Sequence, residues 1–215
     1  VLGPEDVIRE TPLAAIPGVE SLHAVLKPYR PVARNGAAPP PVTIGVVPIG
    51  TGQKVVLISG PCSVESKDGL LSIAEAVKKS GARVLRGGAF KPRTSPYSFQ
   101  GLGEDGLRFL ADARAATGLP IITEIMDTRD LAVIEKYADC LQLGARTQQN
   151  FSLLKEVGRS KLPVLLNRRL TATFTLLPTS AASILSQRNP NVLPLARALP
   201  PSPPQPPHPH PRHPP

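Results

Sequence analysis

Residues 55–60 read VVLISG, an apolar, β-branched run that ends in glycine. Such a run predicts a short strand that is buried on both faces. The segment GLLSIAEAVKKSG at 69–81 follows, with apolar residues at helical spacing and lysines in its last turn. Gly81 stands where the residue just beyond a helix end belongs. We therefore predict a buried strand followed by an amphipathic helix.

The same pairing of strand and helix recurs along the chain. The further predicted strands are ARVLRGG (82–88), PIITEI (120–125), CLQLGA (140–145) and LPVLLN (162–167). The further predicted helices are GEDGLRFLADARAATG (103–118), DTRDLAVIEKYA (127–138) with Asp127 as its N-cap, and QNFSLLKEVGRS (149–160). Strands that alternate with amphipathic helices at this spacing predict right-handed crossovers and a parallel sheet.

Polar residues at the predicted strand ends distinguish an open sheet from a barrel. They are Cys62, Arg86, the KPRT segment at 91–94, Glu124 and Arg146. In a (β/α)8 TIM barrel these positions converge on one face, whereas in an open sheet they spread along an edge. No GxGxxG sequence opens the first helix, which argues against a dinucleotide fold. We predict an α/β fold of the TIM-barrel family that is incomplete, with about five βα units.

The flanks of this region differ in composition. Residues 1–30 are too short to fold alone, and 31–53 are a Pro- and Gly-rich linker that leads into a short hairpin. We assign the partial barrel to 54–172 and an aberrant, Pro-rich tail to 173–215. Pro178 is expected to interrupt the next helix, and strands six to eight are expected to be missing. The proline-rich end can be polyproline II or disordered.

The charge of the chain is +9, but the excess lies at its end. Glu156 is the last acidic residue, so residues 1–156 are close to neutral and nucleic acid is not an expected partner. No apolar stretch is long enough to cross a bilayer, and the start lacks the features of a signal peptide. The two cysteines do not make a disulfide framework. We expect a cytoplasmic protein that binds neither nucleic acid nor membrane.

Four cations follow two of the predicted strands: Arg86, Lys91, Arg93 and Arg146. Arginine offers a planar fork that phosphate and carboxylate oxygens accept, so the cluster suits anionic substrates. For any single Lys or Arg, a solvated surface charge is the commoner explanation. Their placement at strand ends favours a functional site, because the carboxyl ends of barrel strands carry catalysis.

Three other residues have open interpretations at this point. Cys62 can be a nucleophile, a metal ligand or a small buried hydrophobe, and no histidine within 54–167 could activate it. Glu124 can accept a proton, orient a water or pair with a nearby arginine. Cys140 opens a strand at the end of the barrel away from the chemistry and is expected in the core. His208, His210 and His213 lie in the proline-rich tail, which offers no preorganised metal site.

Several sequence motifs resemble one enzyme family. They are GPCSVES (60–66), LRGGAFKPRTSPYSFQGLG (85–103), TEIMD (123–127), LQLGAR (141–146) and QNFSLLKEVG (149–158). Together they resemble 3-deoxy-D-arabino-heptulosonate 7-phosphate (DAHP) synthase of the short bacterial type, continuously over 54–166. The segment 1–52 resembles the end of a ferredoxin-like regulatory domain and its linker. The KPRTSPYSFQG string distinguishes this family from its sister, 3-deoxy-D-manno-octulosonate 8-phosphate synthase.

The resemblance implies a function and a set of roles. Family members condense phosphoenolpyruvate with erythrose 4-phosphate in a metal-dependent, aldol-like reaction of the shikimate pathway to chorismate and the aromatic amino acids, and full-length members are expected to form homo-oligomers. Cys62 matches a ligand of the divalent metal, manganese or similar. The positions matching the phosphoenolpyruvate contacts are Arg86, Lys91 and Arg146. Ala145 matches a substrate-binding position, and Lys91 and Glu124 match catalytic residues. Arg93 and Thr94 match contacts to erythrose 4-phosphate.

Departures from the family pattern set further expectations. Asn167-Arg168-Arg169 stand where the family has a lysine followed by Arg-Gly, so one phosphate contact is in doubt. We interpret the end of the chain as the product of a shifted reading frame and expect the chain by itself to be inactive. Two alternatives remain open: an enzyme like the octulosonate 8-phosphate synthases, or a non-catalytic fragment whose tail binds polyproline readers.

Overall fold

The computed structural model describes residues 17–18, 32, 39–93, 95, 97–168 and 176–195. An antiparallel hairpin comes first, formed by β1 (Val42–Ile44) and β2 (Val47–Ile49). This confirms the predicted lead-in hairpin. The predictions for 1–30 and for the proline-rich end after Leu195 fall outside the described residues, apart from the turn at Pro17 and Gly18.

A six-stranded parallel sheet follows, with its strands in chain order. Its strands are β3 (Ile58–Ser59), β4 (Val84–Arg86), β5 (Ile121–Ile125), β6 (Cys140–Leu143), β7 (Val164–Asn167) and β8 (Val192–Leu195). Each strand pairs in parallel with the next. A doubly wound sheet would reverse its strand order at a switch point, and this sheet does not. The sheet therefore curls as an incomplete TIM barrel, as predicted.

Helices connect the strands of this sheet. They are α1 (Lys67–Lys79), α2 (Glu104–Thr117), the 3-10 turn Thr128–Asp130 with α3 (Leu131–Ile134), α4 (Phe151–Val157) and α5 (Leu176–Leu185). Ser66 caps α1, since its hydroxyl accepts a hydrogen bond from the amide of Gly69 at 3.3 Å. Gly81 follows the C-cap of α1 with a φ of 89°, as predicted. Asp127 was predicted to cap a helix over 127–138; it caps the 3-10 turn instead, and the α-helix that follows spans only Leu131–Ile134.

Two apolar clusters hold the two faces of the sheet. The larger one packs outward-facing strand residues such as Leu85, Ile121 and Leu141 against the helices. The smaller one lies inside the curl, where Val84, Ile122, Cys140 and Leu165 meet Ile44 and Val47 of the hairpin. The period of two along each strand explains this division. The hairpin therefore covers the amino-terminal end of the barrel interior, and Cys140 is in the core, as predicted.

The end of the sheet differs from expectation in two ways. Helix α5 forms although Pro178 was expected to interrupt it. Pro178 lies in the first turn of the helix, where backbone N–H groups have no partner within the helix. A sixth parallel strand, β8, also forms, so the prediction that strand six is missing was wrong. Pro194 is tolerated because β8 is an edge strand among the described strands.

The first strand also departs from its prediction. Residues 55–60 were predicted to be buried on both faces, but only Ile58 and Ser59 form β3. Val55 is fully exposed and Leu57 is 48% exposed. The cause is that β3 pairs only with β4 among the described strands, so its other edge is uncovered. An apolar run next to this edge therefore stays in solvent.

One carboxylate joins the amino-terminal ends of two strands. Asp139, just before β6, accepts hydrogen bonds from Arg114 of α2 at 2.9 and 3.0 Å. It also accepts one from the backbone amide of Ile121 in β5 at 2.8 Å. Because the Ile121 residue is only 1% exposed, Asp139 satisfies a donor that water reaches poorly. Asp139 thus fixes α2, β5 and β6 to one another.

Candidate active site at the carboxyl ends of the strands

A layer of polar side chains lies directly above the apolar layer inside the curl. Two residues beyond Val84, Ile122, Cys140 and Leu165, the inward positions hold Arg86, Glu124, Gln142 and Asn167. We call these four residues the inner polar layer. They occupy the carboxyl ends of four consecutive strands. This is the end of a TIM barrel at which substrates bind.

Arg86 and Gln142 contact each other within this layer. The Nε of Arg86 donates to Oε1 of Gln142 at 3.3 Å. Gln142 is 4% exposed and pairs in register with Glu124 on the neighbouring strand. The sequence prediction included Arg86 and Glu124 but missed Gln142. Its signal was a single amide in the apolar strand CLQLGA, because a polar side chain in a buried run needs a partner.

Glu124 forms no ion pair among the described residues. The hypothesis that Glu124 pairs with a nearby arginine is therefore not supported by the described contacts. A Cβ atom at Gly144 would collide with Oε1 of Glu124, so the backbone approaches this carboxylate closely. A larger residue at position 144 would therefore displace the Glu124 carboxylate. The roles of proton acceptor or water-orienting group for Glu124 stay predictions.

Lys91 and Cys62 are brought together although they follow different strands. The Nζ of Lys91 donates to Sγ of Cys62 at 3.8 Å, and Lys91 is only 7% exposed. A Cβ at Gly88 would collide with the end of the Lys91 side chain, so glycine makes room for the ammonium group. Burial of a cation costs free energy, so a buried lysine beside a thiol indicates a functional rather than a structural position. The structure therefore places the predicted metal ligand beside a predicted substrate residue.

The loop after β4 is held by its own hydrogen bonds. The backbone amide of Lys91 donates to Gln100 O at 2.9 Å, and Arg93 Nε donates to Phe99 O at 3.3 Å. Arg146 reaches this loop from β6, since its Nη1 donates to Pro92 O at 2.7 Å. Arg146 and the KPR part of the loop therefore lie together. Thr94, a predicted substrate contact, lies outside the described residues.

Ala145 and Arg93, two further predicted substrate-binding residues, lie close to these strand ends. Ala145 is half-buried directly before Arg146. Arg93 lines a cleft of about 380 Å³ together with Cys62 and Ser66. A larger cleft of about 510 Å³, lined by Arg129, Lys155 and others, contains no residue of the inner polar layer. We therefore place the candidate site at the strand ends and not in the larger cleft.

The described residues do not supply the ligand set that a resident metal ion needs. Among them, no group of three or more His, Cys, Asp or Glu side chains could hold a metal ion. Cys62 is the predicted ligand, and Lys91 is the neighbour that its sulfur contacts. A cation beside the sulfur is not a ligand, so this part of the chain does not fit a complete metal site.

Comparison with known proteins now decides the family. The sequence model of the DAHP synthetase I family matches residues 33–198. The chain belongs to the DAHP synthetase I family. Members of this family are aldolase-type transferases and are generally metal-dependent. The match extends in both directions beyond 54–166, the range over which the motifs resemble the family continuously.

Individual relatives support the same assignment. The chain is 40% identical over 200 residues to phospho-2-dehydro-3-deoxyheptonate aldolase of Thermotoga maritima, covering 93% of this chain and 59% of that protein. It is 31% identical to 2-dehydro-3-deoxyphosphooctonate aldolase of Bradyrhizobium diazoefficiens, covering 75% of this chain and 60% of the relative. The chain therefore spans about three fifths of the length of these curated relatives.

Solved structures give the same result. The crystal structure of the Thermotoga maritima DAHP synthase superposes with a TM-score of 0.70 at 40% identity, covering 84% of this chain and 53% of that one. A truncated form of the Thermotoga enzyme superposes with a TM-score of 0.62 at 39% identity, covering 70% of this chain and 54% of that one. In addition, the described residues include no helix that is long and apolar enough to span a membrane.

Proposed function

We propose that this chain carries the phosphoenolpyruvate-binding part of a DAHP synthase site. The observation that carries the proposal is the contact of Arg86 with Gln142 at the carboxyl ends of β4 and β6, with Lys91 beside Cys62. Phosphoenolpyruvate bears a phosphate and a carboxylate. Guanidinium and ammonium groups at the end of a barrel interior suit both anionic groups.

Each predicted residue has a proposed role in this site. Arg86 and Arg146 bind phosphoenolpyruvate oxygens, and Ala145 contacts the same substrate. Lys91 binds phosphoenolpyruvate and acts in catalysis together with Glu124, which orients the attacking water. Arg93 and Thr94 bind erythrose 4-phosphate. Positioning of two anions that repel one another is the main contribution of such a site.

The proposed reaction joins C3 of phosphoenolpyruvate to the aldehyde carbon of erythrose 4-phosphate. Water adds at C2 and inorganic phosphate leaves, so the seven-carbon product is DAHP. A divalent metal such as manganese, held in part by Cys62, would supply Lewis-acid chemistry at the aldehyde. We propose Cys62 as one ligand of that metal, and the described residues supply no group that completes the site. We therefore propose that this chain binds phosphoenolpyruvate but does not complete the condensation by itself.

A binding experiment tests this proposal. We expect isothermal titration of the purified chain with phosphoenolpyruvate to show saturable binding at one site, and 2-phosphoglycolate lacking the vinyl carbon to bind through the same cations. Turnover is tested separately. The chain is mixed with phosphoenolpyruvate, erythrose 4-phosphate and manganese, and the heptulosonate product is assayed. Absence of phosphoenolpyruvate binding would refute the proposal, and product formation would refute the expected inactivity.

The second candidate is the eight-carbon reaction, which the octulosonate relatives favour. An eight-carbon product requires a five-carbon aldose phosphate in place of the four-carbon one. The 40% identity to a heptulosonate enzyme and the KPRTSPYSFQG string favour the four-carbon aldehyde. Comparing the binding of four- and five-carbon aldose phosphates in the presence of phosphoenolpyruvate distinguishes the two.

A further inference from the structure

Gln142 is buried in β6 at an inward position of an otherwise apolar strand. A buried amide destabilises a fold unless it is hydrogen-bonded, so its partner indicates why it is there. That partner is Arg86, and the bond joins β4 to β6 past the intervening strand β5. The bond therefore connects two strands that do not pair with each other directly.

The geometry of this bond constrains the Arg86 guanidinium. Its Nε donates to Gln142, and the described residues accept no hydrogen bond from its two terminal nitrogens. Because the guanidinium is planar, fixing Nε also fixes the direction of both terminal NH₂ groups. These groups are then free to bind a carboxylate or phosphate as a pair.

The neutrality of Gln142 also matters. A carboxylate at this position would hold Arg86 equally well but would offset the positive charge that an anionic substrate needs. Glu124, the register partner of Gln142, forms no ion pair with Arg86 among the described contacts. An amide thus orients the guanidinium and leaves its charge available to the ligand. Its own Nε2 has no hydrogen-bond partner in the described part of the chain and is a further donor.

We propose that Gln142 is a positioning residue that aims the Arg86 guanidinium at the bound anion without neutralising it. The proposal rests on the proposed binding of phosphoenolpyruvate and assigns to that site a residue outside the predicted set. It predicts that two substitutions weaken phosphoenolpyruvate binding for different chemical reasons. Gln142→Leu removes the orientation and keeps the charge, whereas Gln142→Glu keeps the orientation and cancels the charge.

Titration with phosphoenolpyruvate separates these variants. We expect Gln142→Leu to weaken binding about tenfold, the size of one hydrogen bond to a charged group. Gln142→Glu should weaken it further, because a carboxylate beside Arg86 offsets the positive charge that the anion needs. Gln187→Leu and Gln187→Glu, outside the barrel interior, are the matched controls and should bind as the parent chain does. Equal affinity of both Gln142 variants and the parent would overturn the proposal.

A second measurement does not depend on phosphoenolpyruvate. The Nε–H proton of Arg86 should exchange slowly with water in nitrogen-15 NMR spectra, and Arg86→Lys identifies its signal by removing it. Gln142→Leu should accelerate that exchange, and Gln142→Glu should keep it slow. Unchanged exchange in Gln142→Leu would overturn the positioning role even if phosphoenolpyruvate binds. Conversely, if the parent chain does not bind phosphoenolpyruvate but exchange is accelerated in Gln142→Leu, the proposed function is refuted. The contact between Arg86 and Gln142 is then still supported.

Discussion

Arg86 Nε donates to the amide oxygen of Gln142 at 3.3 Å although the two residues are 56 positions apart in sequence. The two residues lie close in space because β4, β5 and β6 are consecutive strands whose inward residues point into the same curl. Each of these residues is the last inward position before its strand ends. The site is thus a product of strand order and side-chain alternation, and no single segment contains it.

Asn167 should limit the affinity of the chain for phosphate. It occupies the inner polar layer, and its Oδ1 is buried with no hydrogen-bond partner among the described residues. Asn167→Lys adds an ammonium group at this position, so we expect phosphoenolpyruvate to bind about tenfold more tightly. Ser186→Lys adds the same charge after α5 and is the control. Equal gains from both substitutions would show that only net charge matters.

The two cysteines should differ in reactivity. Burial raises the pKa of the Cys140 thiol to about 12, whereas Cys62 is exposed. Reaction with a disulfide reagent at pH 8 should therefore modify one thiol in the folded chain and two after denaturation. Cys62→Ser should abolish the fast reaction, and Cys140→Ser should leave it unchanged. Fast modification of both thiols in the folded chain would contradict the packing of Cys140.

The same pKa shift predicts how stability depends on pH. The folded pKa of Cys140 lies above the value of about 8.5 for a free cysteine. Its contribution to stability is therefore full below pH 8.5 and declines as pH rises, because only the unfolded thiol then ionises. Urea unfolding between pH 7 and pH 10 should show a loss that Cys140→Ala lacks. An equal pH dependence in both proteins would contradict this account.

Asp139 should contribute more to stability than a surface carboxylate. Asp139→Ala leaves the buried amide of Ile121 without its acceptor, and we expect a loss of about 1–3 kcal/mol in the free energy of unfolding. Glu156→Ala removes an ion pair with Arg159 whose side chains are 39% and 62% exposed, so it should cost less than about 1 kcal/mol. Urea unfolding of both variants measures the difference. Equal losses would contradict the role of Asp139.

The repeated strands and helices could be predicted because each has its own hydrophobic period. The buried strand around Cys140 and the glycine that follows the C-cap of α1, Gly81, could be predicted from local sequence alone. Pro178 and Pro194 misled the prediction, since their effect depends on position within a helix turn and at a sheet edge. The prediction that residues 55–60 are buried was wrong for a related reason. Whether a strand is covered depends on which strands lie beside it, and that information is not local.

The candidate site shows the same division. Arg86, Lys91, Glu124 and Arg146 were predicted because charged residues at strand ends stand out in a sequence. Gln142 was missed because an uncharged amide has meaning only with its partner. The contact of Lys91 with Cys62 likewise joins segments that follow two different strands. Resemblance to a family supplied roles for single positions but not these contacts.

The binding of phosphoenolpyruvate to matched arginine variants tests the central claim most directly. Arg86 lies in the inner polar layer, whereas Arg108 is exposed on α2 and pairs with Glu104. By isothermal titration without added metal, the parent chain and Arg108→Ala should bind phosphoenolpyruvate with equal affinity, and Arg86→Ala should bind it at least about tenfold more weakly. Equal binding by Arg86→Ala and Arg108→Ala would contradict the account.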